Sequence, residues 1–172
     1  MHRPSAGSPD GPSAGAVPQS RLVSISRFFH AAAELSITGV ISGPDYTGEI
    51  AGHLAEVYLG VQMIPYRERR GWDGYLDGGK LCLRFTNCPH GRPLSVPDPD
   101  GFDHLLAVLG PRCSLRPVDG WSLLFYRFPA EDMLHVCKAG STGLVLDAAA
   151  FAGADPVLEV TLPEPGSPEE RR

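Results

Sequence analysis

Apolar positions first recur at three-and-four spacing. Leu22, Ile25, Phe28, Phe29, Ala32 and Leu35 share one face, which predicts a helix over about 21–35 with Ser20 as N-cap and Gly39 as its stop. "VISGPDY" follows as a connector carrying Gly43 and Pro44. A second helix is predicted over 48–59, with Thr47 as N-cap and Gly60 past its end; Ile50, Leu54, Val57 and Tyr58 form its buried stripe. Glu49, His53 and Glu56 line its other side, one above another.

The period then shortens. "GWDGYL" leads through the turn "DGG" into "LCLRFT", where Leu81, Leu83 and Phe85 face one way and Cys82, Arg84 and Thr86 the other. "NCPHGRPLSVPDPDG" is expected to be a long proline-rich loop. "FDHLLAVLG" is almost wholly apolar, as a strand buried on both faces would be. "GWSLLFYRF" predicts another strand, "PAEDMLHVCK" a short helix, and "GLVLD" and "VLEVTL" two further strands. The order of elements predicts an α/β domain, a mixed sheet with helices packed on it.

Composition changes this picture modestly. The 172 residues suit a single core, expected over 19–162. Residues 1–18 and 163–172 are rich in Pro, Gly and Ser or in charge, and are expected to be disordered tails. A net charge of -5 argues against a duplex-DNA binder, which usually carries a basic surplus. The densest basic run is "RERR", where Arg67, Arg69 and Arg70 either grip an anion or form a solvated charge run. Thirteen of the 15 basic residues are arginine, which suggests a GC-rich, bacterial coding bias.

With four cysteines, no CxxC pair, no leader and no apolar run of membrane length, a cytoplasmic protein with reduced thiols is expected. Cys82, Cys88 and His90 do not have a recurring zinc spacing.

The order of motifs now becomes informative. "TGVISGPDYTGEIAGHLAEVYLG", "PYRERRGWDGYLDGGKLCLRFT" and "FDHLLAVL" follow one another along the chain. Together they resemble small members of the PD-(D/E)XK, restriction-endonuclease-like superfamily. Such members carry a Gly-acid pair opening a helix, a "GYDA"-like segment, a Gln- or Glu-hydrophobic-Lys strand and a buried "FD-x-LL-x-VL" strand. The likeness spans about residues 22–136 and rests on order and spacing.

The resemblance implies a restriction-endonuclease-like mixed central sheet flanked by helices. It also implies a site where acids hold Mg2+ or Mn2+ and a lysine helps activate a metal-bound water. Glu49 falls at the helix acid and Asp73 at the strand aspartate, the pair implied as metal ligands; Asp77 is a second candidate for that aspartate. Cys82 stands at the second acid and Arg84 at the lysine. A thiol is a poor partner for Mg2+, and arginine stays protonated, so the chemistry has departed from the pattern.

Several roles stay open on the sequence. Cys82 is either a nucleophile, activated by Arg84 and His53, or a small packing residue. His53 is a base or an ordinary surface histidine. Trp72 either stacks on a ring or lids the core. These residues are compatible with an accessory module binding an anionic small molecule or nucleic acid, a repurposed small-molecule enzyme, or a divergent metal-dependent endonuclease.

Overall fold

The structure is a computed structural model that describes residues 17–37, 46–65, 68–141 and 143–163. The expected tails over 1–16 and 164–172, the Gly39 stop, the connector as far as residue 45 and Arg67 lie outside the described residues, as does the Leu35 side chain.

Both predicted helices form. α1 spans Gln19–Ile37 and α2 spans Tyr46–Leu59. Each begins one residue before its expected N-cap, so Ser20 and Thr47 sit in first turns. Val17, placed in the N-terminal tail by composition, is buried in the core.

The strands are β1 (Gln62–Met63), β2 (Gly74–Leu76), β3 (Gly79–Thr86), β4 (Leu94–Val96), β5 (His104–Leu109) and β6 (Ser122–Pro129). After them come α3 (Met133–Val136), β7 (Lys138–Gly140), β8 (Gly143–Leu146), α4 (Ala148–Ala152) and β9 (Leu158–Thr161). The main sheet has the order β1-β2-β3-β5-β6-β9, with β3 and β5 parallel and the other neighbours antiparallel. The Asp77–Gly78 turn between β2 and β3 has φ of 52° and 82°, the positive pair that joins two-residue hairpins.

The sheet is buried on both faces. Leu81, Leu83, Leu106, Val108, Leu123 and Phe125 meet Phe29, Leu54 and the alanines of α2. On the opposite face Cys82, Leu105, Ala107, Leu109, Leu124 and Tyr126 meet a second layer. That layer contains a small sheet of order β4-β8-β7, together with Met133 and Phe151 from the short helices. Here the proline-rich segment departs from expectation. It is not all loop, because Leu94 and Val96 bury themselves as β4 against β8.

Candidate functional site

Asp73 sits where the β2–β3 ladder ends. Its amide donates to the Leu81 carbonyl at 2.7 Å and its own carbonyl accepts from the Ile64 amide at 2.8 Å. Beyond this point its carboxylate replaces the missing strand: Oδ2 accepts from the Leu83 amide at 2.8 Å. Gly74 beside it has no room for a side chain, since a Cβ would stand 2.6 Å from the Gln62 carbonyl oxygen.

Two guanidinium groups close on the same carboxylate. Arg69 Nη1 donates to Asp73 Oδ1 at 3.2 Å, while its Nε donates to the Ile64 carbonyl at 3.0 Å. Arg84 Nη1 lies 3.5 Å from Oδ2 and donates to the Leu83 carbonyl at 2.9 Å. A carboxylate offers about four acceptor sites, and here a backbone amide and two cations occupy its surroundings.

Cys82 lies beside Asp73 but is sealed. Strand alternation places it on the face with Arg84, and the second layer buries it there. Burial pushes its thiol up to about 12; the nearby Arg84 charge pulls the other way, and the charge and hydrogen bond of Asp73 add to the rise. The activation expected from Arg84 is therefore outweighed by desolvation, and His53, beside Arg21, supplies none.

Asp73, Cys82, Arg84 and Arg69 thus come together, and the other candidates fall elsewhere. Glu49 is exposed in the first turn of α2, the helix packed over the Leu81–Leu83 face. His53 Nε2 lies 3.4 Å from Arg21 Nη1 on α1. Glu56 accepts from the Met63 amide at 3.2 Å and so caps edge strand β1. Asp77 pairs with Arg127 at 2.8 Å, at the turn. Arg70 is exposed.

Among the described residues no three His, Cys, Asp or Glu side chains form a metal-holding group, so Glu49, Asp73 and Cys82 do not make one, nor do Cys82, Cys88 and His90. The residues present fit Mg2+ or Mn2+ poorly. The Asp73 carboxylate is neutralised by arginines, and its neighbour is a protonated, soft thiol.

One surface feature escaped the sequence reading. Lys80 Nζ stands 4.6 Å from the Trp72 ring centroid, and Lys80 pairs across the hairpin with exposed Tyr75. The alternation that aligned Cys82 with Arg84 also placed Lys80 on their face, and that was the available signal. Among the described residues the buried Trp72 indole nitrogen has no hydrogen-bond partner.

Compared with protein-family models and with curated proteins, the chain finds no match. No described helix is long and apolar enough to cross a membrane.

Proposed function

We propose that this chain is a degenerate restriction-endonuclease-like protein in which arginine has replaced the metal, and that it works as an accessory module binding an anionic, nucleotide-like ligand. One observation carries the reading: the Asp73 carboxylate is held by Arg69, Arg84 and the Leu83 amide instead of being open to a cation. In a metal-dependent site the carboxylates repel one another until the ion enters. Here the opposing charge is covalently part of the chain and always present.

The ligand class follows from what surrounds that pair. Arg84 is partly exposed, and of the three nitrogens that share its five N–H donors, Nη1 is the one turned to Asp73 and Leu83 among the described residues. Arg70 and Lys80 add positive charge nearby in sequence, and Trp72 and Tyr75 offer ring surface on the same hairpin. A phosphate against the cations with a planar base on a ring is the pairing such a surface suits. The buried Cys82 thiol gives a repurposed hydrolase or transferase no nucleophile at neutral pH.

Two assays test this. Supercoiled plasmid incubated with Mg2+ or Mn2+ is expected to stay intact, and Cys82→Glu with Arg84→Lys is expected to add no cutting. Metal-dependent nicking that Asp73→Asn abolishes would instead restore the nuclease reading. Titration with a nucleoside triphosphate is expected to quench fluorescence in the wild type and not in Trp72→Phe; an unchanged signal at millimolar nucleotide would remove the ligand assignment.

A further inference from the structure

Two of the four thiols lie on loops that the fold stitches together. Cys88 follows β3 and Cys113 follows β5, so both leave the carboxyl ends of the parallel pair. The Ser114 amide donates to the Cys88 carbonyl at 3.0 Å, and Ser114 Oγ donates to the same oxygen at 3.2 Å. The Gly91 amide donates to Ser114 Oγ at 2.6 Å, and the Arg112 amide to Asn87 Oδ1 at 2.8 Å. The Gly110 amide closes the base of the pair on the Thr86 carbonyl at 2.8 Å. The backbones at 88 and 114 are thus one hydrogen bond apart, with Cys113 the next residue.

We propose that Cys88 and Cys113 are a redox pair that forms a reversible intramolecular disulfide when a hydroperoxide reacts with Cys88. Cys88 is the accessible partner, half-buried in its loop, whereas Cys113 is buried. Attack of the Cys88 sulfur on the peroxide oxygen breaks the O–O bond, giving a sulfenic acid and releasing an alcohol, or water where the oxidant is hydrogen peroxide. The Cys113 sulfur then displaces hydroxide from the Cys88 sulfur; one S–S bond forms and water leaves with the thiol proton.

Burial, the largest effect, raises the Cys113 pKa and the nearby Cys88 adds to the rise, while the Leu115 backbone, the Thr86 hydroxyl and the Arg116 charge pull part of the way back, so the second step draws on a minor thiolate fraction. The other two thiols have no such partner: Cys82 faces Asp73, and Cys137 contacts the Met133 sulfur at 3.9 Å. In a reducing compartment this kind of bond is transient, as a sensor requires. It would tie down the end of β3 two residues beyond Arg84.

The test uses the full chain, exposed to stoichiometric hydrogen peroxide, then unfolded and blocked with a maleimide. The expected product is a monomer lighter by two hydrogens that keeps two blockable thiols. Its unreduced peptide map should link Cys88 to Cys113, and dithiothreitol should reverse the link. Cys88→Ser is expected to abolish it; this half-buried position avoids the folding risk of changing buried Cys113. A bridge that uses Cys82 or Cys137, a disulfide-linked dimer, or oxidation of Cys88 to the sulfinic acid with Cys113 untouched would each overturn the proposal.

Discussion

Asp73→Ala separates a locked carboxylate from an open metal ligand by the sign of its effect on stability. Metal-site acids are usually a burden in the unliganded fold, so their removal is neutral or stabilising. Here removal takes away three favourable partners. The Leu83 amide loses a charged acceptor at 2.8 Å, which costs about 1.5–2 kcal/mol. The pairs to Arg69 and Arg84 are discounted, because those side chains are 24% and 38% exposed; about 0.5 kcal/mol each is appropriate.

The expected loss is therefore about 2.5–3 kcal/mol. For a domain of this size that is a fall in Tm of about 5–12 °C. Asp73→Asn keeps an oxygen for the Leu83 amide and should lose roughly half as much. Urea unfolding followed by far-UV circular dichroism measures both, at unchanged m-value. An Asp73→Ala protein as stable as the wild type, or more so, would refute the lock.

Three further outcomes follow from the same geometry. Cys82 should be the slowest of the four thiols to label with iodoacetamide at pH 8, because its thiol stays protonated up to about 12. Its linkage to stability has a definite sign. Below the unfolded pKa of roughly 8.5 both states hold the proton and nothing is lost; above it only the unfolded chain ionises, so stability falls by about 1.4 kcal/mol per pH unit. Cys82→Ala should therefore show a shallower alkaline decline than the wild type in parallel urea titrations, and identical slopes would contradict the buried thiol. Gly74→Ala, whose Cβ would press on the Gln62 backbone at 2.6 Å, should destabilise by about 1–3 kcal/mol, read as a fall in the urea midpoint.

Elements with a strong local period were legible in the sequence. The apolar faces of α1 and α2, the Asp77–Gly78 turn and the twice-buried β5 all follow from spacing and turn chemistry. The second layer was legible only in part, through "GLVLD" as β8 and the short helix carrying Met133. β4 and β7 are three residues each, too short for any period, and β4 lies among prolines that read as loop.

That omission is what left Cys82 open between a nucleophile and a packing residue. Alternation correctly set it beside Arg84, but whether their face is a cleft or a core depends on Leu94, Val96, Leu146 and Phe151, which arrive from distant parts of the chain. Charge pairing was likewise beyond a one-dimensional reading. Arg69 and Asp73 are four residues apart, yet a turn joins them, not a helix, and nothing in "RERRGWD" says which arginine turns inward. The spacing of Glu49, His53 and Glu56 was real, but α2 directs His53 to Arg21 on α1 and Glu56 to the edge of β1, and leaves Glu49 exposed.

The most direct measurement is a calorimetric titration of the reduced protein with Mn2+ at neutral pH, run alongside Arg84→Met and Asp73→Asn. If arginine holds the place of the metal, the wild type should give no saturable heat and Asp73→Asn should look the same. A one-to-one Mn2+ isotherm in the wild type that vanishes in Asp73→Asn would contradict that substitution outright.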